Sequence, residues 1–196
     1  LYSASLEDNL IKLSNSRTEF LYWIKKYFQN YQIINRQNDE LRNEMSEYFK
    51  GNLEKFNLKI KITGTTFQQK VLKALIKIPF GHKISYSQIA KKIGNPTAGR
   101  AIGNAVGKNP IMLIVPCHRV VRNNGDLGGF TGGIKVKKKL LEFERGMYNH
   151  FATINTIQRS LLLSSSVIPQ PILSNLLSLL ILLSMTCLVF LVLKIT

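Results

Sequence analysis

The residues best suited to chemistry lie in the stretch PIMLIVPCHRVV, residues 110–121, where Cys117 and His118 stand side by side. A cysteine acts as a nucleophile when it is a thiolate, and a nearby imidazole can accept its proton. Adjacent residues of an extended chain point to opposite sides, so these two side chains need not touch. Two interpretations are open at this point: a buried structural cysteine beside an ordinary histidine, or a nucleophile with its base.

The surroundings of Cys117 favour the nucleophile. The apolar run 111–115 reads as a buried strand that ends just before it, and the cations Arg119 and Arg122 follow. A positive setting favours the thiolate form of a cysteine. A carboxylate that holds the histidine would complete an activated nucleophile, and Glu144 is the candidate.

The charge of the chain indicates its class of partner. The 196 residues carry a formal net charge of +16 at pH 7, and thirteen Lys or Arg but no acidic residue lie between Glu54 and Asp126. A lysine-rich solvated surface is one explanation. A long stretch with a single sign of charge is more typical of a protein that binds a polyanion, so nucleic acid is favoured.

Periodicity and capping predict the elements that must position these residues. Residues 1–16 read as a β-hairpin around the turn Glu7-Asp8-Asn9, and 55–63 alternates as a half-buried strand. Helical spacing of apolar residues is found in four further segments: 18–30, 39–51 with Gly51 as its stop, 65–81, and 134–146.

Two short helices in the middle of the chain suggest a helix-turn-helix. Residues 85–94 begin with the capping-box pair Ser85 and Gln88 and stop at Gly94, and a second helix follows over 96–107. The same pattern also occurs in ordinary helical packing.

The second of these helices has few large side chains. It contains Gly99, Gly103 and Gly107, with Arg100 as its one long charged side chain. Because each helical glycine costs about 1 kcal/mol relative to alanine, the composition needs a reason. Close helix–helix packing is one, and close approach to a DNA groove with Arg100 projecting into it is the other.

Taken together, these motifs resemble one family, the 6-O-alkylguanine-DNA alkyltransferases, which repair alkylated guanine by taking the alkyl group onto their own cysteine. The resemblance runs from Thr65 to Gly146. Four segments carry it: ISYSQIA (84–90), GNPTAGRAIGNAVGKNP (94–110), VPCHRVV (115–121) and GGFTGG (128–133).

The resemblance implies an α/β fold in two parts. Residues 1–62 would form a small strand–helix domain of the ribonuclease-H-like type that lacks its first strand. Residues 63–148 would form a mainly helical catalytic and DNA-binding domain with a winged-helix or helix-turn-helix motif. Residues 149–196 match nothing in the family.

Catalytic roles are implied on matching positions. Cys117 would be the nucleophile, and His118 its base through a bridging water. Glu144 would orient the imidazole, and Asn109 would tie the helix-turn-helix to the active-site loop. Tyr86 would help rotate the phosphate of the target nucleotide and donate a proton as guanine leaves.

DNA-binding roles are implied in the same way. Arg100 would enter the base stack and fill the gap left by the flipped nucleotide. The other DNA-contact residues would be Thr97, Ala98, Tyr86 and Arg119, and the base pocket would be formed by Phe130, Thr131, Val120 and Val106. Phe130 stands where many members carry tyrosine, so it keeps the apolar face without a hydroxyl.

The expected partner is double-stranded DNA containing alkylated guanine, and the expected reaction is a single irreversible turnover of a monomer without a cofactor. No metal is expected, because residues 1–62 lack the Cys and His ligands with which some members bind zinc. Two other functions compete with this one: a non-catalytic protein that binds alkylated DNA and recruits repair factors, and a helix-turn-helix regulator with an incidental cysteine. The retained Cys117 argues against the former, and the small residues beside Arg100 suit base reading poorly.

The C-terminal tail raises a separate question. Residues 161–193 carry no charge, and 172–193 have the length and hydropathy of a transmembrane helix. A membrane anchor and a gene-model artefact are equally compatible with this pattern. Cys187 reads as a small apolar residue of the tail. With no signal peptide and no disulfide framework, the expected location is intracellular.

Overall fold

A β-hairpin opens the chain in the computed structural model, which describes residues 1–34 and 37–163. Strands β1 (Tyr2–Leu6) and β2 (Asn9–Ser14) pair antiparallel, and Glu7 and Asp8 make the turn with φ of 50° and 61°. The predicted hairpin is therefore confirmed. Its second strand is largely buried and supplies the edge on which later segments pack.

Six α-helices follow the hairpin within the described residues. They are α1 (Arg17–Tyr27), α2 (Asp39–Lys50), α3 (Thr66–Ile76), α4 (Tyr86–Lys92), α5 (Gly99–Gly107) and α6 (Ile134–Leu163). A short parallel pair, β3 (Ile84–Ser85) with β4 (Val120–Val121), makes a second sheet. The fold is thus a mixed α and β structure, as expected.

Local signals placed the helix ends well. Gly51 closes α2 in the left-handed region at φ 84°. Capping boxes open α3 (Thr65 with Gln68) and α4 (Ser85 with Gln88). The last helix continues beyond the predicted end at residue 146 as far as Leu163.

The strand predicted over 55–63 is wrong. This segment makes a single bridge, Ile60 to Leu10, in which Leu10 N donates to Lys59 O (2.8 Å) and Lys61 N donates to Leu10 O (3.0 Å). Alternate side chains from Phe56 to Ile62 are nevertheless half-buried. The alternation correctly indicated which side chains face the core. A strand also needs a neighbouring segment with which it forms a continuous ladder of hydrogen bonds, and the spacing of apolar residues does not show whether one exists.

The apolar run 111–115 is also not a strand. Val115 N donates to Ile111 O (3.0 Å) around a tight turn, and Leu113 adopts φ 72°. A single bridge joins Ile111 to Leu13 of β2. The run is mostly buried, so it carries Cys117 into the core as a compact turn.

Helices α4 and α5 pack on each other and α5 packs on α3. Gly94, at φ 73°, begins the turn between α4 and α5. Pairing of Ile84 with Val120 brings the start of α4 beside the Cys-His turn. The pair of helices α4 and α5 and the Cys-His turn are therefore held in one packed unit.

A second, smaller apolar cluster adjoins the main core. Its buried members are Tyr48, Phe80, Leu113, Leu140 and Met147, which join α2 to α6.

Within residues 1–34 and 37–163, none of the helices combines the length and the hydropathy that a membrane span requires. The candidate span 172–193 and Cys187 lie outside the described residues.

Candidate active site

Cys117 begins a short 3₁₀ turn, Cys117–Arg119, and only 5% of its surface is exposed. The amide Nδ2 of Asn109 donates to its Sγ at 3.0 Å and to the carbonyl of Val115 at 2.8 Å. Ile111 N donates to Asn109 Oδ1 at 3.1 Å. Asn109 therefore lies between the end of α5 and the Cys-His turn and contacts the sulfur directly.

The thiol pKa differs from expectation. Burial raises the pKa of Cys117, and the hydrogen bond from Asn109 and the charge of Lys137 offset this only in part. The expectation that Arg119 and Arg122 would favour the thiolate is wrong, because Arg119 turns away to a carboxylate and Arg122 is exposed. The resting sulfur is a thiol, so the site needs a base.

His118 is the candidate for that base. Its ring is fully buried and its Nε2 lies 2.8 Å from Oε1 of Glu144. Burial lowers the pKa of His118 and Glu144 opposes this, so the imidazole is neutral near pH 7. Because an ionised carboxylate only accepts, the network assigns the proton to Nε2. Nδ1 is then the basic nitrogen, and it is buried with no hydrogen-bond partner among the described residues.

The carboxylate of Glu144 accepts hydrogen bonds from four residues. Its donors are Tyr48 Oη (2.6 Å), His118 Nε2 (2.8 Å), Arg119 Nε and Nη2 (2.8–3.1 Å) and Gly81 N (3.2 Å). Burial would raise the pKa of Glu144, but hydrogen bonds from His118 and Arg119 outweigh it and lower the pKa to about 2. The carboxylate is ionised at any working pH.

The assignment of Arg119 to the DNA-contact surface is wrong. Its side chain is buried against Glu144, its Nη1 donates to Ile78 O at 2.6 Å, and its guanidinium lies 5.7 Å from the ring centre of Phe80. The buried carboxylate holds this cation inside the protein. Arg119 belongs to the framework behind His118.

Lys137 is a part of the site that the sequence reasoning missed. Its ammonium group is buried and donates to the carbonyls of Val120 (2.5 Å), Leu127 and Gly129 (3.3 Å). Burial lowers the pKa of Lys137 to about 8, and the nearby Cys117 opposes the shift. A signal existed, because residues 137, 140, 144 and 147 form one buried stripe of α6. A lysine on such a stripe has a partner inside.

A cleft of about 850 Å³ leads to the sulfur. Its lining is Tyr86, Gly99, Arg100, Gly103, Val106, Gly107, Cys117, Arg122, Asn123, Gly128, Gly129, Phe130 and Thr131. Sequence reasoning had named six of these as site residues: Tyr86, Arg100, Val106, Cys117, Phe130 and Thr131. It had named Gly99, Gly103 and Gly107 as the small residues of the second helix, and Arg122 only as a cation that follows Cys117. It had not named Asn123, whose only signal was its place after the Cys-His motif.

The predicted pocket residues differ in placement. Phe130 stands edge-on to His118 with ring centres 6.5 Å apart, and the hydroxyl of Thr131 donates to Gly107 O at 3.0 Å. Val120 is fully buried and is not part of the cleft lining. Its assignment to the pocket is therefore wrong, and its carbonyl instead anchors Lys137.

Helix α5 presents its small residues to the cleft. A Cβ added at Gly99 or Gly107 would meet no heavy atom within 4 Å, and one at Gly103 would only reach the Tyr86 ring at 4.0 Å. Close helix–helix packing therefore does not explain these glycines. Thr97 and Ala98 precede α5 outside the cleft lining, whereas Arg100 is exposed and lines it.

Comparison with known proteins gives a consistent set of relatives. Residues 66–146 match the family model of the 6-O-methylguanine DNA methyltransferase DNA-binding domain. A Mycobacterium bovis protein named methylated-DNA–protein-cysteine methyltransferase is 50% identical over 102 residues. An Acanthamoeba polyphaga mimivirus protein, named a probable methylated-DNA–protein-cysteine methyltransferase, is 52% identical, and the match covers 52% of this chain and 68% of that protein.

Solved structures agree with these matches. The crystal structure of Mycobacterium tuberculosis OGT in complex with DNA superposes with a TM-score of 0.64 and 38% identity, covering 74% of this chain and 86% of that one. An O6-methylguanine DNA methyltransferase from Methanococcus jannaschii gives 0.55 and 29% identity, covering 74% and 87%. The match to the Mycobacterium bovis relative spans 52% of this chain and 62% of that protein's length.

Proposed function

This chain belongs to the 6-O-methylguanine DNA methyltransferase family, and we propose that it repairs DNA by moving an alkyl group from the guanine 6-oxygen onto Cys117. One observation carries the proposal. The sulfur lines a cleft open to solvent, and a neutral histidine held by an ionised carboxylate lies next to it in the chain. This arrangement can form a thiolate during the reaction, while the sulfur of the resting protein remains a thiol.

The chemistry follows from the assigned protons. Through a bridging water, Nδ1 of His118 takes the thiol proton, and Glu144 stabilises the resulting imidazolium. The thiolate attacks the alkyl carbon as the carbon–oxygen bond breaks, and the electron pair stays on guanine. Tyr86, which lines the cleft, supplies a proton to the leaving base. Solvent then returns a proton to Tyr86 while His118 releases the one taken from the thiol, so that overall the thiol loses one proton and guanine gains one. The thioether is not readily hydrolysed, so each molecule reacts once.

The substrate we propose is alkylated guanine in duplex DNA. The 6-oxygen lies inside the stack, so the nucleotide must swing out before sulfur can reach the alkyl carbon. Helices α4 and α5 would lie against the minor groove, where the bare face of α5 permits close approach and contacts need not read sequence. Arg100, exposed on the rim, would fill the gap left in the stack.

The finer architecture is part of this proposal. Residues 1–62 would form a ribonuclease-H-like unit, and residues 63–148 a catalytic unit of the winged-helix type. The acting unit in this proposal is a monomer.

Intact-mass measurement tests the reaction. The full chain is incubated with an oligonucleotide duplex that carries 6-O-methylguanine, with Cys117→Ser as the control. We expect the wild type to gain the mass of one methylene group, once per chain and at Cys117, and the control to gain nothing. A folded wild type that binds the methylated duplex but gains no mass would point to the non-catalytic alternative. Binding that depends on DNA sequence but not on methylation would point to a regulator.

A further inference from the structure

We propose that Tyr48, on α2, is a positioning residue that orients the carboxylate of Glu144 and sets the basicity of His118. This inference deepens the proposed function and rests on it. It assigns a role in the reaction to a residue outside residues 66–146, the segment that holds Cys117, His118 and Glu144.

The hydroxyl of Tyr48 meets the proton relay at its central atom. It donates at 2.6 Å to Oε1 of Glu144, the same oxygen that accepts from Nε2 of His118 at 2.8 Å. Burial and the adjacent Glu144 both raise the pKa of Tyr48, so the phenol keeps its proton and acts only as a donor. Phenol and imidazole therefore share one acceptor atom.

The ring of Tyr48 is held so that this hydroxyl has little freedom. Tyr48 is fully buried, with Phe49 and Phe56 at 5.1 Å and Phe143 and Phe80 at 5.7 and 5.8 Å between ring centres. Such a cluster fixes the aromatic plane from several sides. Position and direction of the hydrogen bond are thus imposed by packing.

The groups around Glu144 divide their tasks. Arg119 supplies the opposing charge and contacts both carboxylate oxygens, and Gly81 N contacts Oε2. Tyr48 contacts Oε1 alone and carries no charge. Lys137 adds a positive charge that disfavours protonation of His118. Removing the phenol hydroxyl leaves these charges in place and removes one of the donors to Oε1, which still accepts from His118 and Arg119.

The sign of the effect follows from the dipole. The hydroxyl turns its positive end toward Oε1, which disfavours a second positive charge on the neighbouring imidazole. Without it, the pKa of His118 rises. Since protonated His118 cannot accept the thiol proton, the acidic limb of the rate profile should move to higher pH. A less fixed carboxylate should also slow the reaction roughly tenfold at its optimum.

The experiment compares Tyr48→Phe with two controls in the full chain. Tyr22→Phe removes a hydroxyl from an exposed tyrosine of α1, and Leu41→Ala loosens α2 without touching the relay. Single-turnover methyl transfer to each protein is followed from pH 5 to pH 9, and His118 is titrated by NMR. We expect an upward shift of both the acidic limb and the His118 pKa for Tyr48→Phe alone. A Tyr48→Phe profile that is lowered uniformly, as a merely structural role predicts, would overturn the inference.

Two safeguards keep the outcomes distinct. If the wild type transfers no methyl group, the proposed function fails, while the His118 titration still decides the role of Tyr48. If Tyr48→Phe does not fold, 3-fluorotyrosine is placed at position 48, where its stronger donor should shift the His118 pKa downward. An unchanged His118 pKa with that residue would equally overturn the inference.

Discussion

The guanidinium of Arg119 contacts both carboxylate oxygens of Glu144, with nitrogen–oxygen distances of 2.8 to 3.1 Å. Arg119 lies two residues after Cys117, and Glu144 lies on α6. The pair therefore joins the Cys-His turn to the last described helix through a buried, ionised contact. Its strength should be measurable both as stability and as reactivity.

Replacing Glu144 with glutamine should remove a pH-dependent part of the stability. The folded pKa of about 2 lies below the unfolded value near 4.3, so ionisation stabilises the protein above that value and the gain is lost as pH falls toward 2. This corresponds to about 3 kcal/mol. Denaturant unfolding of wild type and Glu144→Gln from pH 7 to pH 2 should give curves that converge toward acid.

Glu142→Gln is the matched control, since Glu142 is exposed on the same helix and lies 3.8 Å from Lys138. We expect it to parallel the wild type within about 0.5 kcal/mol. Parallel curves for Glu144→Gln as well would show that the ionised carboxylate contributes no pH-dependent stability.

Replacing Lys137 with methionine should weaken the fold and the thiol together. Three carbonyl groups would lose their donor, at a total cost of about 3 kcal/mol in unfolding free energy. Loss of the nearby positive charge should also raise the pKa of Cys117. Labelling of Cys117 by iodoacetamide, followed by peptide mass across pH, should shift to higher pH.

The control for this change is Lys135→Met, which removes an exposed lysine two residues earlier on α6. Both its labelling profile and its stability should match the wild type. Identical labelling profiles for the Lys137 and Lys135 variants would exclude an electrostatic influence of Lys137 on the sulfur.

Replacing Arg100 with alanine should separate base extrusion from chemistry. The residue is exposed on the cleft rim, and within residues 1–34 and 37–163 it makes no hydrogen bond to Cys117 or His118. Repair of methylated duplex should slow about tenfold or more, because unstacking costs a few kcal/mol. Reaction with free 6-O-alkylguanine should stay within about twofold of wild type.

Lys108→Ala removes one exposed positive charge at the end of the same helix and controls for charge alone. Its effect on duplex repair should be smaller than that of Arg100→Ala. If Arg100→Ala slowed both substrates equally, the extrusion role would be lost.

Gly103→Ala should stabilise the protein while harming DNA binding. A Cβ at this position has room within the protein, so helix propensity should add about 1 kcal/mol to the unfolding free energy. The same methyl group would project into the cleft face of α5 and hold duplex DNA away. Thermal unfolding and fluorescence-anisotropy titration with duplex measure the two effects.

Gly146→Ala, in an exposed and open position of α6, should bring a similar gain in stability with unchanged DNA affinity. Unchanged affinity in both glycine variants would contradict close approach of α5 to DNA.

Local chemistry made part of this molecule predictable. The capping boxes at Thr65 and Ser85, the left-handed stop at Gly51 and the hairpin turn depend on neighbours a few residues away, so the sequence displays them directly. The cysteine motif pointed to the reactive turn, and His118 and Glu144 lie in hydrogen-bond contact.

Long-range partners made the rest unpredictable. An apolar run reports burial but not hydrogen bonding, which is why 111–115 was expected as a strand and is a turn. Arg119 read as a DNA contact because its buried carboxylate lies 25 residues away. The acceptor of the Tyr48 hydroxyl is separated from it by 96 residues, so no local pattern indicates this contact.

The separation of these partners along the chain has a consequence for protein synthesis. Translation produces Tyr48 first, the sulfur of Cys117 next and the carboxylate of Glu144 last. A growing chain that already contains the thiol lacks the carboxylate that would stabilise a protonated His118, so the proposed reaction requires α6. Under the proposed single-turnover reaction, the order of synthesis would keep the thiol unused until α6 is complete.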